Sequence, residues 1–268
     1  MSDDGLNENT NKDNYEPRKV KWYGYKPDLP DKRDFYYTVS QPVAVPKSVD
    51  LRPSCPPVYD QGELGSCTAN ALAALYQQNE IVQKNVTQFM PSRLFVYYNE
   101  RYLEGTVQSD SGASLRDGIR ALAKWGVCDE NLYPYKIERF ANTPGANIYE
   151  AAKKGVITKY SRIVQKLADM RTCLAAGDPF VIGIMVYESF ESKDVAKTGN
   201  VPMPSYDEQA LGGHAVLVVG YNDADQTFLV RNSWGPKWGQ GGYFTLPYEY
   251  VLDSDLTGDM WTIQMVPA

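Results

Sequence analysis

After Cys67 the apolar positions Ala69, Leu72, Ala73 and Tyr76 recur with the spacing of one helix face, which predicts a helix beginning at or next to that cysteine. Two more helical patterns follow. PSRLFVYYNERYL carries Pro91, a residue suited to a first turn, and SLRDGIRALAKWG sets Leu115, Ile119 and Leu122 on one face and stops at Gly126. Another helix is expected to end at Gly177. From about residue 160 the pattern changes. PFVIGIMVY (179–187), HAVLVVGYN (214–222), TFLVRNSW (227–234) and GGYFTL (241–246) are rich in Val, Ile and aromatics and bounded by Gly, Pro, Asn and Asp, the marks of strands. No internal repeat is visible. A helical stretch from 50 to about 160 and a strand-rich one from about 161 to 268 predict an α+β fold with two lobes.

Residues 1–49 fit neither pattern. Five prolines and little periodicity predict an extended chain, while Trp22, Tyr23, Tyr25, Phe35, Tyr36 and Tyr37 are too many aromatics for a solvated tail. From Trp22 onward this extension is expected to lie on a surface of the folded protein, with disorder before it.

Composition narrows the function classes. At 268 residues, 43% hydrophobic and 22% charged, the chain reads as an ordinary globular protein with a sizeable core. A net charge of −6 and no Lys/Arg block argue against a nucleic-acid partner. No apolar run approaches the roughly 20 residues of a membrane span, so no membrane partner is expected. The polar start MSDDGLNENTNKDN has no secretory h-region. The first 49 residues hold eight basic and eight acidic side chains, so the acidic excess lies in the remainder.

Four cysteines occur, at 55, 67, 128 and 173, with no C-x-x-C pair, and there is one histidine, His214. A metal site is therefore not expected, and nothing points to a cofactor. Cys173 shares an apolar helical face with Met170 and Leu174 and reads as core. A thiol at a helix N-terminus meets unpaired N–H groups and the helix dipole, which favour a thiolate. A small buried residue starting a helix is the commoner explanation of such a cysteine, and that stretch alone does not decide. His214 lies in GGHAVLVVGY. Eighteen residues later Asn232 stands in RNSWGPKWGQGGY, where a returning strand could bring it beside the imidazole.

Taken together these segments resemble the papain family of cysteine proteases. QGELGSC (61–67), GGHAVLVVGY and RNSWGPKWGQGGYF carry the likeness, with YPY at 133–135 between them, from Val49 to the C-terminus. The resemblance implies a two-lobed fold with the active site in the cleft between a helical and a strand-rich lobe. It implies a nucleophile at Cys67, a thiolate–imidazolium partner at His214 and an orienting Asn232 shielded by Trp234. It also implies an oxyanion hole from the Gln61 side chain and the Cys67 N–H, and a substrate backbone running past Gly112 and Ala113. Peptide or protein substrates and endopeptidase chemistry through a thioester follow from it. An exopeptidase, an acyl transferase and a non-catalytic binding protein on the same fold are the alternatives.

The departures are specific. Leu64 stands where secreted members commonly carry a cysteine, and the partner cysteine is missing near Asp110, so that bridge cannot form; this fits a reducing, intracellular compartment and resembles bacterial and large-virus members. Thr68 and Asn70 replace aromatic residues after the nucleophile. Asp253 or Asp255 would favour basic residues if either reached the specificity pocket, although surface acids are the plainer reading. The N-terminal extension lacks the family's helical propeptide pattern. It reads either as an inhibitor in cis, running reversed or out of register or filling the groove with aromatic rings, or as a cover for an apolar patch on the back of a lobe.

Overall fold

The structure is a computed structural model that describes residues 17–39, 41–84 and 89–265. In chain order its elements are β1 (Tyr25–Lys26), β2 (Ser48–Asp50), α1 (Cys67–Lys84), α2 (Arg93–Glu104), β3 (Ala113–Ser114), α3 (Leu115–Trp125), α4 (Ala146–Ala152) and β4 (Lys159–Arg162). Then come α5 (Leu167–Ala175), β5 (Phe180–Tyr187), α6 (Lys193–Thr198), β6 (Ala210–Asn222), β7 (Thr227–Arg231), β8 (Tyr243–Pro247), α7 (Tyr248–Leu252) and β9 (Thr257–Met265). Seven strands form one sheet in the order β4-β9-β5-β6-β7-β8, with β2 also paired to β6; β1 and β3 form a separate two-stranded parallel pair. Each predicted helix and strand has a counterpart. α2 begins later than expected, because Ser92 caps it by accepting from the Phe95 N–H and Pro91 lies outside. Gly126 closes α3 with φ 74°, a conformation that favours glycine.

Helix α1 differs from the expectation of a single apolar face. Its residues from Cys67 to Glu80 are all buried. The helix is covered by α2 and α3 on one side and by the sheet, through β6 and β9, on the other. The sheet is apolar on both faces for the same reason. Along β5 and β6 the alternation of strand side chains sends Ile182, Ile184, Val216 and Val218 into the core of the strand-rich lobe. Val181, Ala215, Leu217 and Val219 point into the core around α1. His214 and Ala215 therefore sit at the seam between the two lobes. Ser48–Asp50, at the expected junction of extension and domain, is already a strand of the large sheet. Asp253 and Asp255 are exposed. All four cysteines are free, and Cys173 is fully buried beside Met170 and Leu174.

Only part of residues 17–39 is buried. Val20, Tyr23, Gly24 and Tyr25 pass between the lobes, whereas Leu29, Phe35 and Tyr36 are exposed on the surface. Disorder was expected before Trp22; residues 1–16 are outside the described residues, whereas residues 17–21 are placed against the fold, with Val20 buried and Arg18 paired to Glu191.

Candidate active site

Cys67 is the first residue of α1, and His214 lies on β6 where two glycines precede it. Asn232 follows the end of β7, the strand that returns antiparallel to β6. The His214 Nε2 and the Asn232 Oδ1 are 2.9 Å apart. The Ser233 N–H donates to that same Asn232 atom at 2.8 Å, which fixes it as the amide oxygen. The Nε2 of His214 is therefore the protonated nitrogen, and Nδ1 keeps its lone pair. Trp234 stacks on the imidazole with centroids 5.0 Å apart and planes at 27°. Cys67, His214 and Asn232 are 0%, 1% and 2% exposed, so chemistry at this site is closed to water in the present state.

Gln61 is buried on the loop before α1. The Ser233 hydroxyl donates to its Oε1 at 2.6 Å, and its Nε2 donates to the Leu64 carbonyl at 2.9 Å, leaving a second amide hydrogen. The backbone of this loop is stitched to the other lobe by Gln61 N–H to Ser233 O at 2.8 Å and Gly235 N–H to Tyr59 O at 2.9 Å. Tyr135, from the YPY stretch, donates to the Gln61 carbonyl at 2.9 Å. Asp110 ties this loop to α2. Its carboxylate accepts from the Gly65 N–H at 3.1 Å and from the Tyr97 hydroxyl at 2.5 Å.

The extension completes the picture. Gly24 lies between Gly65 and Gly112: a Cβ on Gly24 would come within 1.9 Å of the Gly65 carbonyl oxygen, and one on Gly112 within 2.0 Å of the Gly24 oxygen. The Ala113 N–H donates to the Gly24 carbonyl at 2.8 Å, and β1 pairs parallel with β3. Tyr23 meets the His214 ring edge-on at 5.8 Å. The Trp22 indole donates to Asp110 at 3.2 Å, and its ring covers Gly65. Gly112 and Ala113 thus line an extended backbone, the one supplied by the chain itself.

Burial pushes the Cys67 thiol up to about 12, against N–H groups of Ala215, Gly24 and Thr68 that favour the thiolate. Burial likewise lowers the His214 imidazole to about 4, although its bond to Asn232 raises it. In the covered site burial thus disfavours the charged form of each group. Sequence reasoning missed Gly24, Asp110 and Asp259 as parts of the cleft. The visible signal for the first was a glycine set among aromatics, W-Y-G-Y at 22–25.

A cysteine heading a buried helix, a histidine with a fixed Nε2–H and an amide-lined loop are the parts of a thiol protease site, and the wider comparisons agree. The sequence profile described as papain family cysteine protease matches residues 45–255. The chain belongs to the papain family of cysteine proteases. A peptidase C1-like protein of Acanthamoeba polyphaga mimivirus is 45% identical, across 91% of this chain and 87% of that protein. The crystal structure of xylellain, a cysteine protease from Xylella fastidiosa, is similar with a TM-score of 0.86 and 45% identity, covering 94% of this chain and 98% of that one. Digestive procathepsin L 3 of Tenebrio molitor shares the fold at a TM-score of 0.69 and 18% identity, over 87% and 74% of the two chains. This papain-family chain is a cysteine peptidase with the two-lobed α+β fold.

Proposed function

We propose that the chain is an endopeptidase made in a latent form, with Cys67 as nucleophile, His214 as proton carrier and residues 17–39 as its inhibitor in cis. In the opened site the His214 Nδ1 takes the Cys67 proton, and the sulfur attacks the scissile carbonyl carbon. The oxyanion develops toward the free Gln61 amide hydrogen and the Cys67 N–H. The imidazolium returns the proton to the leaving nitrogen as the C–N bond breaks. A water, deprotonated by His214, then attacks the thioester, and the C–S bond breaks to release the acid. Asn232 holds the ring so that Nδ1 faces the sulfur, and Trp234 keeps water from that bond.

The observation that carries this reading is the path of the extension. It enters beside Glu191 and Trp234, passes Cys67 and leaves beside Arg116 and Arg162, so the cleft accepts a chain on both sides of the nucleophile. That favours internal cleavage over removal of terminal residues. The Gly24 N–H lies beside the Cys67 sulfur, so the extension sits on the nucleophile itself. Tethering then keeps the local concentration of the occupant high.

Gly24→Val tests this. No side chain fits between Gly65 and Gly112, so the variant should expel the extension and hydrolyse fluorogenic peptides that the unaltered chain cleaves slowly. Adding Cys67→Ala should end that turnover. Equal activity of the unaltered and Gly24→Val chains would show that the extension does not inhibit.

A further inference from the structure

The first turn of α1 rests on a buried carboxyl that none of the catalytic roles explains. Glu100, on α2, is 0% exposed. Its Oε2 accepts from the Thr68 hydroxyl at 2.8 Å, and its Oε1 has no hydrogen-bond partner among the described residues. The room for it comes from α3, where a Cβ on Gly118 would lie 2.5 Å from Glu100 Oε1 and 2.2 Å from Leu72 Cδ1. Glu100 is thus enclosed where three helices meet.

Thr68 links that carboxyl to the nucleophile. Its side chain holds Glu100, while its N–H lies against the Cys67 sulfur together with those of Ala215 and Gly24. Gly24 belongs to the extension. When the extension leaves, the N–H groups of Ala215 and Thr68 remain to favour the thiolate. The N–H groups of a first helical turn have no partner within the helix, so an anchored side chain is what fixes their direction.

The charges that face Glu100 do not neutralise it. From α2 come Arg101 and Glu104, from α3 Asp117, and from α1 the Cys67 thiol. Arg101 is the cation among them, and it directs its guanidinium to the carbonyls of Val107, Ser109 and Phe140. An ionised Glu100 would leave one oxygen without a donor and set a second negative charge near the thiolate, in a site closed to water.

We propose that Glu100 is a positioning residue for the peptidase reaction: as an uncharged acid it anchors Thr68, and on ionising it opposes the Cys67 thiolate, so this carboxyl sets a ceiling in pH on activity. The inference rests on the reading of Cys67 as the nucleophile.

The Gly24→Val full chain is compared with the same chain carrying Glu100→Gln, whose amide accepts from Thr68 and cannot ionise. Peptide kcat/KM and the rate of Cys67 alkylation by iodoacetamide are both followed from about pH 6 to about pH 10. The ratio of Glu100→Gln to parent should grow about tenfold across that range in both readouts, because only the parent gains a like charge. Thr68→Val, which removes the donor and keeps the shape, should lower both rates about tenfold at the acid end of the range. A ratio that stays constant with pH, or full rates in Thr68→Val, would overturn the proposal. Absence of all turnover in the parent would count against the protease reading, and the alkylation ratio then decides the role of Glu100.

Stability gives a readout that needs no chemistry at Cys67. A carboxyl raised on folding contributes stability below its ordinary 4.5 and loses it as the pH climbs from there toward the raised value. In the otherwise unaltered full chain, Glu100→Gln should therefore raise Tm over the parent by a margin that widens from pH 4.5 upward. A margin that does not change with pH would overturn the uncharged state of Glu100.

Discussion

At the scale of single residues, the polar substitutions that follow the nucleophile are compensated rather than disruptive. Thr68 is buried and donates to Glu100 Oε2 at 2.8 Å, while Asn70 donates to the Ser66 carbonyl at 2.9 Å and accepts from Arg93. Burial raises the Glu100 carboxyl well above the usual carboxylate range. The first turn of α1 is therefore fixed by hydrogen bonds. In the Gly24→Val background, His214→Ala should lower kcat/KM by about 10³-fold or more, because no other imidazole exists in the chain. Gln61→Ala should cost about 10²–10³-fold through the oxyanion, and Asn232→Ala less than either. A His214 variant with full turnover would leave the mechanism without a base. Gln61, Cys67, His214 and Asn232 were legible through the family resemblance of the segments that hold them, not singly. Asp259 was not: Asp253 and Asp255 drew attention by position, whereas the bulge that turns Asp259 inward leaves no pattern in T-G-D-M-W.

At the scale of elements, the strands β5 to β8 were legible because each is a run of β-branched and aromatic residues between turn formers. β9 was missed, since Gly258 and Asp259 interrupt its apolar run at the bulge, and β4 is four residues with no alternation of its own. The seating of β1 depends on glycines at 24, 65 and 112, whose complementarity appears only when the chain is folded. Docking of this strand carries a pH dependence whose sign is fixed by His214. Its imidazole falls from the ordinary 6.5 to about 4 when covered, so the docked state binds fewer protons than the open one. Docking is unaffected by this group above 6.5 and weakens as the pH falls from 6.5 toward 4. Asp28 acts in the opposite sense, because burial raises its carboxyl and acid favours its docked form. Amide hydrogen exchange at Tyr23–Lys26, compared at equal pH, isolates the histidine. Protection in the unaltered chain should drop relative to His214→Gln between pH 6.5 and 4. A constant ratio across that range would contradict the assignment.

At the scale of the whole molecule, the two lobes followed from the change of pattern near residue 160, while the cleft and the site within it came from the family likeness. What the linear pattern did not hold is that the extension bridges both lobes. Lys26 pairs with Glu104 at 2.6 Å on the helical side, Asp28 with Arg162 at 2.9 Å on the strand-rich side, and Asp34 pairs with Arg116. The central claim is that Cys67 is a nucleophile held silent by Gly24 and its neighbours. Peptide mapping after brief treatment with iodoacetamide at neutral pH, on the unaltered full chain and on Gly24→Val, tests it most directly. Cys67 should be modified slowly in the first and far faster than Cys55, Cys128 and Cys173 in the second, with those three unchanged between the two proteins. Equal modification of all four cysteines in a folded Gly24→Val chain, or the same slow rate at Cys67 in both, would contradict the account.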